Sequence, residues 1–217
     1  MKKILLTLFS LAVLNGTAWA EEPQLFKQFY YGMPKAEVAQ VSGATACEEM
    51  DLMGDLCMPG TVPFGGEEWE QVFVMDPEEK LSQVLLVQEA NADVLDSMIN
   101  VISGAGFIPV YLVADEEQLD IFSYASQGKQ NELNERIMEI LVNEPEEFSY
   151  TFLETKGLAK IKKSKLKNFL SVISSAPIDI RAVEAAMDSD LLVLNFSMPL
   201  MEQRDEARRS KHVQESF

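Results

Sequence analysis

Basic residues are scarce in this chain, and their scarcity excludes a class of partner. The 217 residues contain 18 Lys and Arg against 35 Asp and Glu, a formal net charge of −17. Residues 28–128 contain 18 acidic residues and only two basic ones, Lys35 and Lys80. This field repels nucleic-acid phosphates, so we expect no nucleic-acid partner. The field would steer a basic protein or a cation toward this half; the competing interpretation is a solubilising surface.

Histidine is nearly absent. The one histidine, His212, lies in a polar C-terminal stretch beside Arg209 and Lys211. Ser-His-Asp and Cys-His catalysis need a positioned base, and zinc sites are built mainly from His and Cys ligands. No G-x-S-x-G, P-loop or dinucleotide-binding glycine motif occurs either. We therefore assign no catalytic residue, no metal ligand and no cofactor, and the balance favours a protein that is not an enzyme.

Only two cysteines occur, Cys47 and Cys57. In an oxidising compartment a close, even pair of this kind is typical of a disulfide. The acids Glu48, Glu49 and Asp55 around them disfavour the thiolate that a redox-active cysteine needs. The sequence therefore predicts a structural disulfide that closes an eleven-residue ring.

The longest apolar run lies at the N-terminus. Lys2 and Lys3 precede the run Ile4–Leu14, and Ala18–Ala20 reads small-x-small before Glu21. This pattern is typical of a secretory signal peptide, and the run is shorter than the ~20 residues that span a bilayer. No cysteine lies near the cleavage point, so we expect no lipid anchor. Residues 1–20 are thus expected to be removed and the remainder exported, most simply to a bacterial periplasm.

Hydrophobic periodicity predicts an α+β fold: an antiparallel sheet with helices packed on one face. The first half yields a short helix over 34–42 that stops at Gly43, a hairpin of strands at 68–75 and 81–87, a helix capped by Asn91, and a buried strand over 107–114. Pro109 in this last strand favours an edge or a bulge.

The second half alternates in the same way. It yields a helix from Asp115 to about Ser126, a second helix after Gly128, a strand over 148–152, an amphipathic helix near 166–173, a helix over 180–187 and a strand over 191–198. We expect residues 21–200 to form one domain, with a weaker candidate boundary near 89–91 or 143–147. Residues 201–217 are expected to form a polar, frayed tail.

One segment resembles a known family. Tyr31–Val38, YGMPKAEV, is similar to the G-M-x-K-x-E-V helix start of SmpA/OmlA-type periplasmic modules and of the fold of β-lactamase-inhibitor proteins. The resemblance covers residues 26–88 at most, and it implies a short helix before an antiparallel hairpin in a binding or assembly module without catalysis. This chain departs from the SmpA/OmlA pattern because it lacks the lipid anchor and a second copy of the motif.

Two sets of residues are candidates for contact with a partner. The aromatic candidates for a protein interface, which would otherwise fill the core, are Tyr30, Tyr31, Phe64 and Trp69. The candidates for contact with an anionic membrane surface are Lys160, Lys162, Lys163, Lys165 and Lys167. These lysines would equally form a solvated face or pair with the acidic half of the same chain or of a neighbour.

The sequence therefore predicts an exported, non-catalytic module that binds another envelope protein or takes part in envelope assembly. A cell-envelope hydrolase that uses unmarked carboxylates and a carrier of a small apolar ligand remain as alternatives. A deep pocket with two facing acids would favour the hydrolase, and a roomy apolar cavity would favour the carrier. The partner and the oligomeric state are left open.

Overall fold

A computed structural model describes residues 23–47, 54–143 and 145–215. The strands are β1 Gln24–Phe26, β2 Phe29–Tyr30, β3 Thr45–Ala46, β4 Leu56–Phe64, β5 Glu67–Met75, β6 Leu81–Glu89, β7 Phe107–Ala114, β8 Glu117–Leu119, β9 Phe148–Glu154, β10 Ala182–Met187 and β11 Leu191–Ser197. The helices are α1 Lys35–Ser42, α2 Ala92–Gly104, α3 Ile121–Ser126, α4 Gln130–Val142, α5 Thr155–Leu158, α6 Phe169–Ile173 and α7 Pro199–Glu215, with a 3₁₀ turn at Lys163–Lys165. The expected signal peptide lies outside the described residues.

Nine of the strands form one antiparallel sheet, in the order β3-β4-β5-β6-β11-β10-β9-β7-β8, while β1 and β2 pair separately. The predicted α+β class with an antiparallel sheet is confirmed. Strands from both sides of residues 89–91 and 143–147 are neighbours in this sheet, because β6 pairs with β11 and β7 pairs with β9. The sheet is therefore continuous across both candidate boundaries.

Several local predictions are confirmed. Helix α1 ends at Gly43, whose φ of 73° lies in the left-handed region that glycine adopts without a Cβ clash. The Asn91 side chain accepts hydrogen bonds from the first turn of α2, as an N-cap residue does. Strands β5 and β6 form the predicted hairpin, and β7 carries an irregularity in register between Pro109 and Tyr111.

Two local predictions are wrong. Asp115 does not cap a helix; it lies in the turn between β7 and β8, and Asp120 caps α3 by accepting from the Ser123 N–H at 2.8 Å. The segment over 180–187 forms strand β10 rather than a helix. Its Ala, Glu and Met residues favour a helix intrinsically, but its position between β9 and β11 overrides that preference.

The segment after residue 200, predicted to be a frayed tail, forms most of helix α7. Polar contacts hold this helix against the body of the protein. The Tyr31 hydroxyl donates to Asp205 at 3.2 Å, and Arg209 pairs with Asp76 at 3.3 Å. The side chain of His212 lies outside the described part of the structure.

The main hydrophobic core covers one face of the sheet, which we call the helix face. Alternation along the strands places Trp69, Phe73, Leu86, Phe152 and Leu194 on this face, and all five are fully buried. Helices α1, α2 and α4 cover them; the apolar residues that these helices contribute are Val38, Leu95, Met98, Ile102, Leu133 and Ile140. The prediction of helices on one face therefore holds for α1, α2 and α4, whereas Leu200 of the longest helix, α7, packs with the buried cluster on the opposite face.

The opposite face, which we call the open face, is only partly covered. At one end, Leu158, Ile161 and Val172 from the segment containing α5 and α6 pack over Val110 and Leu153. At the other end, a smaller cluster contains Val72, Leu85 and Val87 together with both cysteines. The rest of the open face lies between these two clusters and begins at Val87 and Val193, which belong to the smaller one.

Candidate functional site: the open face of the sheet

Strand register arranges the middle of the open face in rows. One row, which we call the floor, runs across five strands: Val87, Val193, Ala186, Ser149 and Val113; Glu70 lies opposite Val87 at the β5 end of this row. Val87 is only 4% exposed, whereas Val193, Ala186, Ser149 and Val113 are half-buried. The floor is therefore a mostly apolar band of small side chains that solvent still reaches.

Carboxylates surround this floor. We call this set the acidic rim, and it comprises Glu70, Glu89, Asp115, Glu147, Glu184 and Asp188. Four of its members, together with Val113, Ala186, Leu191 and Val193, line an open depression of about 320 Å³. Among the described residues, no member of the rim forms a salt bridge. The rim thus presents uncompensated negative charge beside an apolar surface.

The backbone fixes the position of two rim carboxylates. The N–H groups of Leu191 and Asp190 donate to Asp188 Oδ1 at 2.7 and 2.8 Å, and these bonds lower the pKa of Asp188 below its ordinary value. Asp115 accepts from the Glu147 N–H at 3.1 Å, which joins the β7–β8 turn to the start of β9. Asp188 therefore stays ionised at neutral pH and well below it.

The rim is not arranged as a metal site. Within the described ranges, no group of three or more His, Cys, Asp or Glu residues is placed to hold a metal ion. Glu70, Glu89, Glu147 and Glu184 are all exposed. The geometry suits contact with positive groups that remain mobile, such as Lys and Arg side chains of a partner.

The predicted disulfide between Cys47 and Cys57 is present. It joins β3 to β4, and Cys57 lies opposite Val72 on the open face. The cysteines pack against the cluster at the β5–β6 end of this face. The disulfide therefore closes one end of the open face; ring residues 48–53 lie outside the described residues.

The four aromatic interface candidates belong to the body of the protein rather than to the open face. Trp69 is fully buried, and its indole N–H donates to the Phe64 carbonyl at 3.0 Å. Phe64 packs edge-on against Phe26 and Phe196. Tyr30 and Tyr31 pack against the same core. Trp69 therefore fills the core, which is the alternative that the sequence left open for these aromatics.

The candidate lysines lie on the segment between β9 and β10, and all of them are exposed.

No sequence motif marks the rim residues Glu70, Glu89, Glu147, Glu184 and Asp188. They lie far apart in the chain, and their neighbours form no recognisable pattern. Each of them occupies a strand position, or a position at a strand end, that points to the open face. Recognising that they share this face requires the order of the strands in the sheet.

A buried carboxylate lies where α7 meets the sheet. Gln83 donates to Glu202 Oε2 at 2.9 Å, while Glu202 Oε1 is buried without a hydrogen-bond donor among the described residues. Desolvation raises the pKa of Glu202 above its ordinary value. The folded state therefore favours protonation of this side chain more than the unfolded state does.

We expect Glu202→Gln to stabilise the protein at neutral pH and to have less effect in acid. A raised folded-state pKa gives a stabilising contribution that is complete below the unfolded-state pKa and is lost as pH rises through the folded-state value. The difference in unfolding free energy between variant and native chain should therefore grow from about pH 4 to about pH 7. Urea denaturation followed by Trp69 fluorescence measures it. A constant difference, or one equal to that of exposed Glu206→Gln, would contradict this assignment.

Comparisons of the chain with protein-family models, with curated proteins and with solved structures gave no match. Among the described residues, no helix is both long enough and apolar enough to cross a membrane.

Proposed function

We propose that this protein is an exported, non-catalytic module that binds a basic segment of another envelope protein across the open face of its sheet. The observation that carries the proposal is the acidic rim around the apolar floor. A segment with alternating basic and apolar side chains matches both parts, because its cations meet the rim while its apolar groups cover Val193 and Ala186.

The charge distribution supports this proposal. Residues 28–128 carry 18 acids and two bases, and they contribute Glu70, Glu89 and Asp115 to the rim. A surface of one sign raises the rate at which an oppositely charged partner arrives, and salt weakens that effect. The proposed complex should therefore form quickly at low ionic strength.

Export is part of the same proposal. The disulfide suits an oxidising compartment, and the N-terminal residues carry the expected pattern of a signal peptide. We infer a periplasmic or secreted location. The resemblance of Tyr31–Val38 to periplasmic assembly modules is in keeping with a binding role, and α1 does precede antiparallel strands here.

The geometry favours binding over the two alternatives. A hydrolytic general acid needs a desolvated carboxyl, whereas Glu147 and Glu184 are exposed in an open depression. The aromatic pocket beside Phe26, Phe107 and Phe196 has a volume of about 180 Å³. Sites for drug-sized ligands usually have volumes of about 300–1,000 Å³, so this pocket is small for a carrier. The larger depressions, of about 320, 490 and 550 Å³, are more open to solvent than this pocket.

Fluorescence anisotropy with a labelled peptide of alternating Lys and Val tests the proposal. We expect this peptide to bind more tightly than a matched Lys-Gly peptide, with affinity that falls as salt rises. Glu147→Gln combined with Glu184→Gln should weaken binding about tenfold at low salt, since each lost charge pair is worth up to about 1 kcal/mol.

The matched control is Glu135→Gln combined with Glu206→Gln, which removes the same charge from exposed positions on α4 and α7. This control should change the affinity by less than about twofold. Equal losses for the two double variants would show that only net charge matters. Equal binding of the two peptides would show that the apolar floor takes no part.

A further inference from the structure

The lysines between β9 and β10 form a separate surface that the proposed function does not use. We call this set the lysine surface, and it comprises Lys156, Lys160, Lys162, Lys163, Lys165 and Lys167. All six are exposed, and among the described residues only Lys160 forms an ion pair, with Asp179 at 3.7 Å. In a chain with 35 acids and 18 bases, this unpaired positive charge stands out.

The backbone below the lysine surface is held firmly. Leu158 and Ile161 are buried against the open face, and Phe169 stacks on Tyr111 with ring centroids 4.8 Å apart. The N–H of Phe169 also donates to Asp120 at 2.9 Å. Because the apolar side chains hold this segment against the sheet, its lysines are displayed outward without a further ordering cost to the backbone.

One apolar side chain projects from the same segment. Leu170 is 77% exposed, although its helix neighbours Phe169, Val172 and Ile173 pack against the sheet. Ile178 is also exposed and lies shortly after α6. An exposed leucine three residues after a run of lysines suits a surface with anionic headgroups outside and hydrocarbon below.

We propose that the lysine surface docks on an anionic lipid bilayer, with Leu170 inserted at the level of the headgroups. A second copy of the chain, bound through its acidic rim, is the main competing occupant. Lysine is depleted in protein–protein interfaces, and apart from Ile178 the segment offers no second exposed large apolar residue to form an interface core. Lipid headgroups are mobile and suit point charges on flexible side chains.

The acidic rim does not prevent this contact. Leu153 lies beneath the lysine segment, and Ser149 lies on the floor four residues earlier on the same strand. Five of the six rim residues lie at or beyond the Ser149 row, about 13 Å along the strand from Leu153, which exceeds the screening length of about 10 Å at 0.1 M salt. Glu184 lies nearer, because it pairs with Thr151, two residues from Leu153. The lysine surface is therefore screened from most of the rim, and each of the two proposals has its own test.

Co-sedimentation with vesicles tests the proposal on the full mature chain. The probes are vesicles of phosphatidylglycerol mixed with phosphatidylcholine, and vesicles of phosphatidylcholine alone. We expect binding only to the anionic vesicles, and weaker binding at high salt. The triple variant Lys162→Gln, Lys163→Gln and Lys165→Gln should weaken binding about 100-fold, from about fivefold per lysine.

Two control variants match these changes in chemistry. Lys27→Gln, Lys35→Gln and Lys80→Gln remove the same charge elsewhere and should leave vesicle binding within about threefold. Leu170→Asn should weaken binding about tenfold, whereas Val142→Asn, at a position 72% exposed on α4, should not.

Three outcomes would overturn the proposal. The first is equal binding to neutral and anionic vesicles, and the second is equal loss for the lysine triple variant and its control. The third is an absence of vesicle binding at low salt combined with dimers, seen in analytical ultracentrifugation, that the lysine triple variant converts to monomers. That third result would assign the lysine surface to a second copy of the chain.

Discussion

Phe73→Ala is expected to lower the free energy of unfolding by about 3–5 kcal/mol. Phe73 is fully buried on the helix face of β5, and its ring meets Phe29 edge-on with centroids 4.7 Å apart. Truncation removes the buried ring and leaves a cavity between the sheet and the β1–β2 hairpin. Denaturant unfolding followed by Trp69 fluorescence measures the loss.

Val142→Ala is the control for this core substitution, because Val142 is largely exposed and its truncation should change stability by less than about 0.5 kcal/mol. If Phe73→Ala prevents folding, Phe73→Leu gives a smaller and measurable loss. A loss below about 1 kcal/mol for the alanine variant would mean that Phe73 does not lie in the core described here.

Removing the disulfide is expected to cost about 2.5–3 kcal/mol of unfolding free energy. The double variant Cys47→Ser and Cys57→Ser opens an eleven-residue ring, and the unfolded chain gains the entropy that the ring withheld. In the folded protein both cysteines pack beside Val72 and Leu85, at one end of the open face.

A reductant provides the control for this second prediction. Reduction should lower the stability of the native chain by about the same amount as the double variant, and it should leave the double variant unchanged. Equal stability of native chain and variant under oxidising conditions would contradict a structural role for the disulfide.

Local features of this fold were predictable from the sequence. The α2 helix has apolar residues at a 3.6-residue period after the cap Asn91, and β5 and β6 are joined by a short spacer around Pro77. The Cys47–Cys57 pair was predicted because no other cysteine competes with it. In each case the determining residues lie within about twenty positions of one another.

The candidate site was not predictable in the same way. Glu70, Glu184 and Asp188 share one face only because β11 lies between β6 and β10, and no local pattern specifies that order. Strand β10 looked like a helix because Ala and Met are good helix formers. Helix α7 looked frayed because distant polar contacts such as Arg209–Asp76, rather than an apolar stripe, hold it.

Charge placement is the sequence feature on which the proposed function depends. The excess of acids indicated a basic partner, but it did not distinguish a binding surface from a solubilising one. The structure adds the apolar floor beside the acids, which a purely solubilising surface does not need. The structure likewise shows that Leu170 in the lysine segment is exposed, whereas hydrophobic periodicity alone predicted that it would be buried.

Carboxyl footprinting tests the central claim most directly. Carbodiimide-driven labelling of the mature protein, with and without the Lys-Val peptide, reports by mass spectrometry which carboxylates the peptide covers. Protection of Glu147 and Glu184, with Glu135 and Glu206 labelled as before, is the result that the open-face account predicts. Protection spread evenly over all four carboxylates, or confined to the helices, would contradict it.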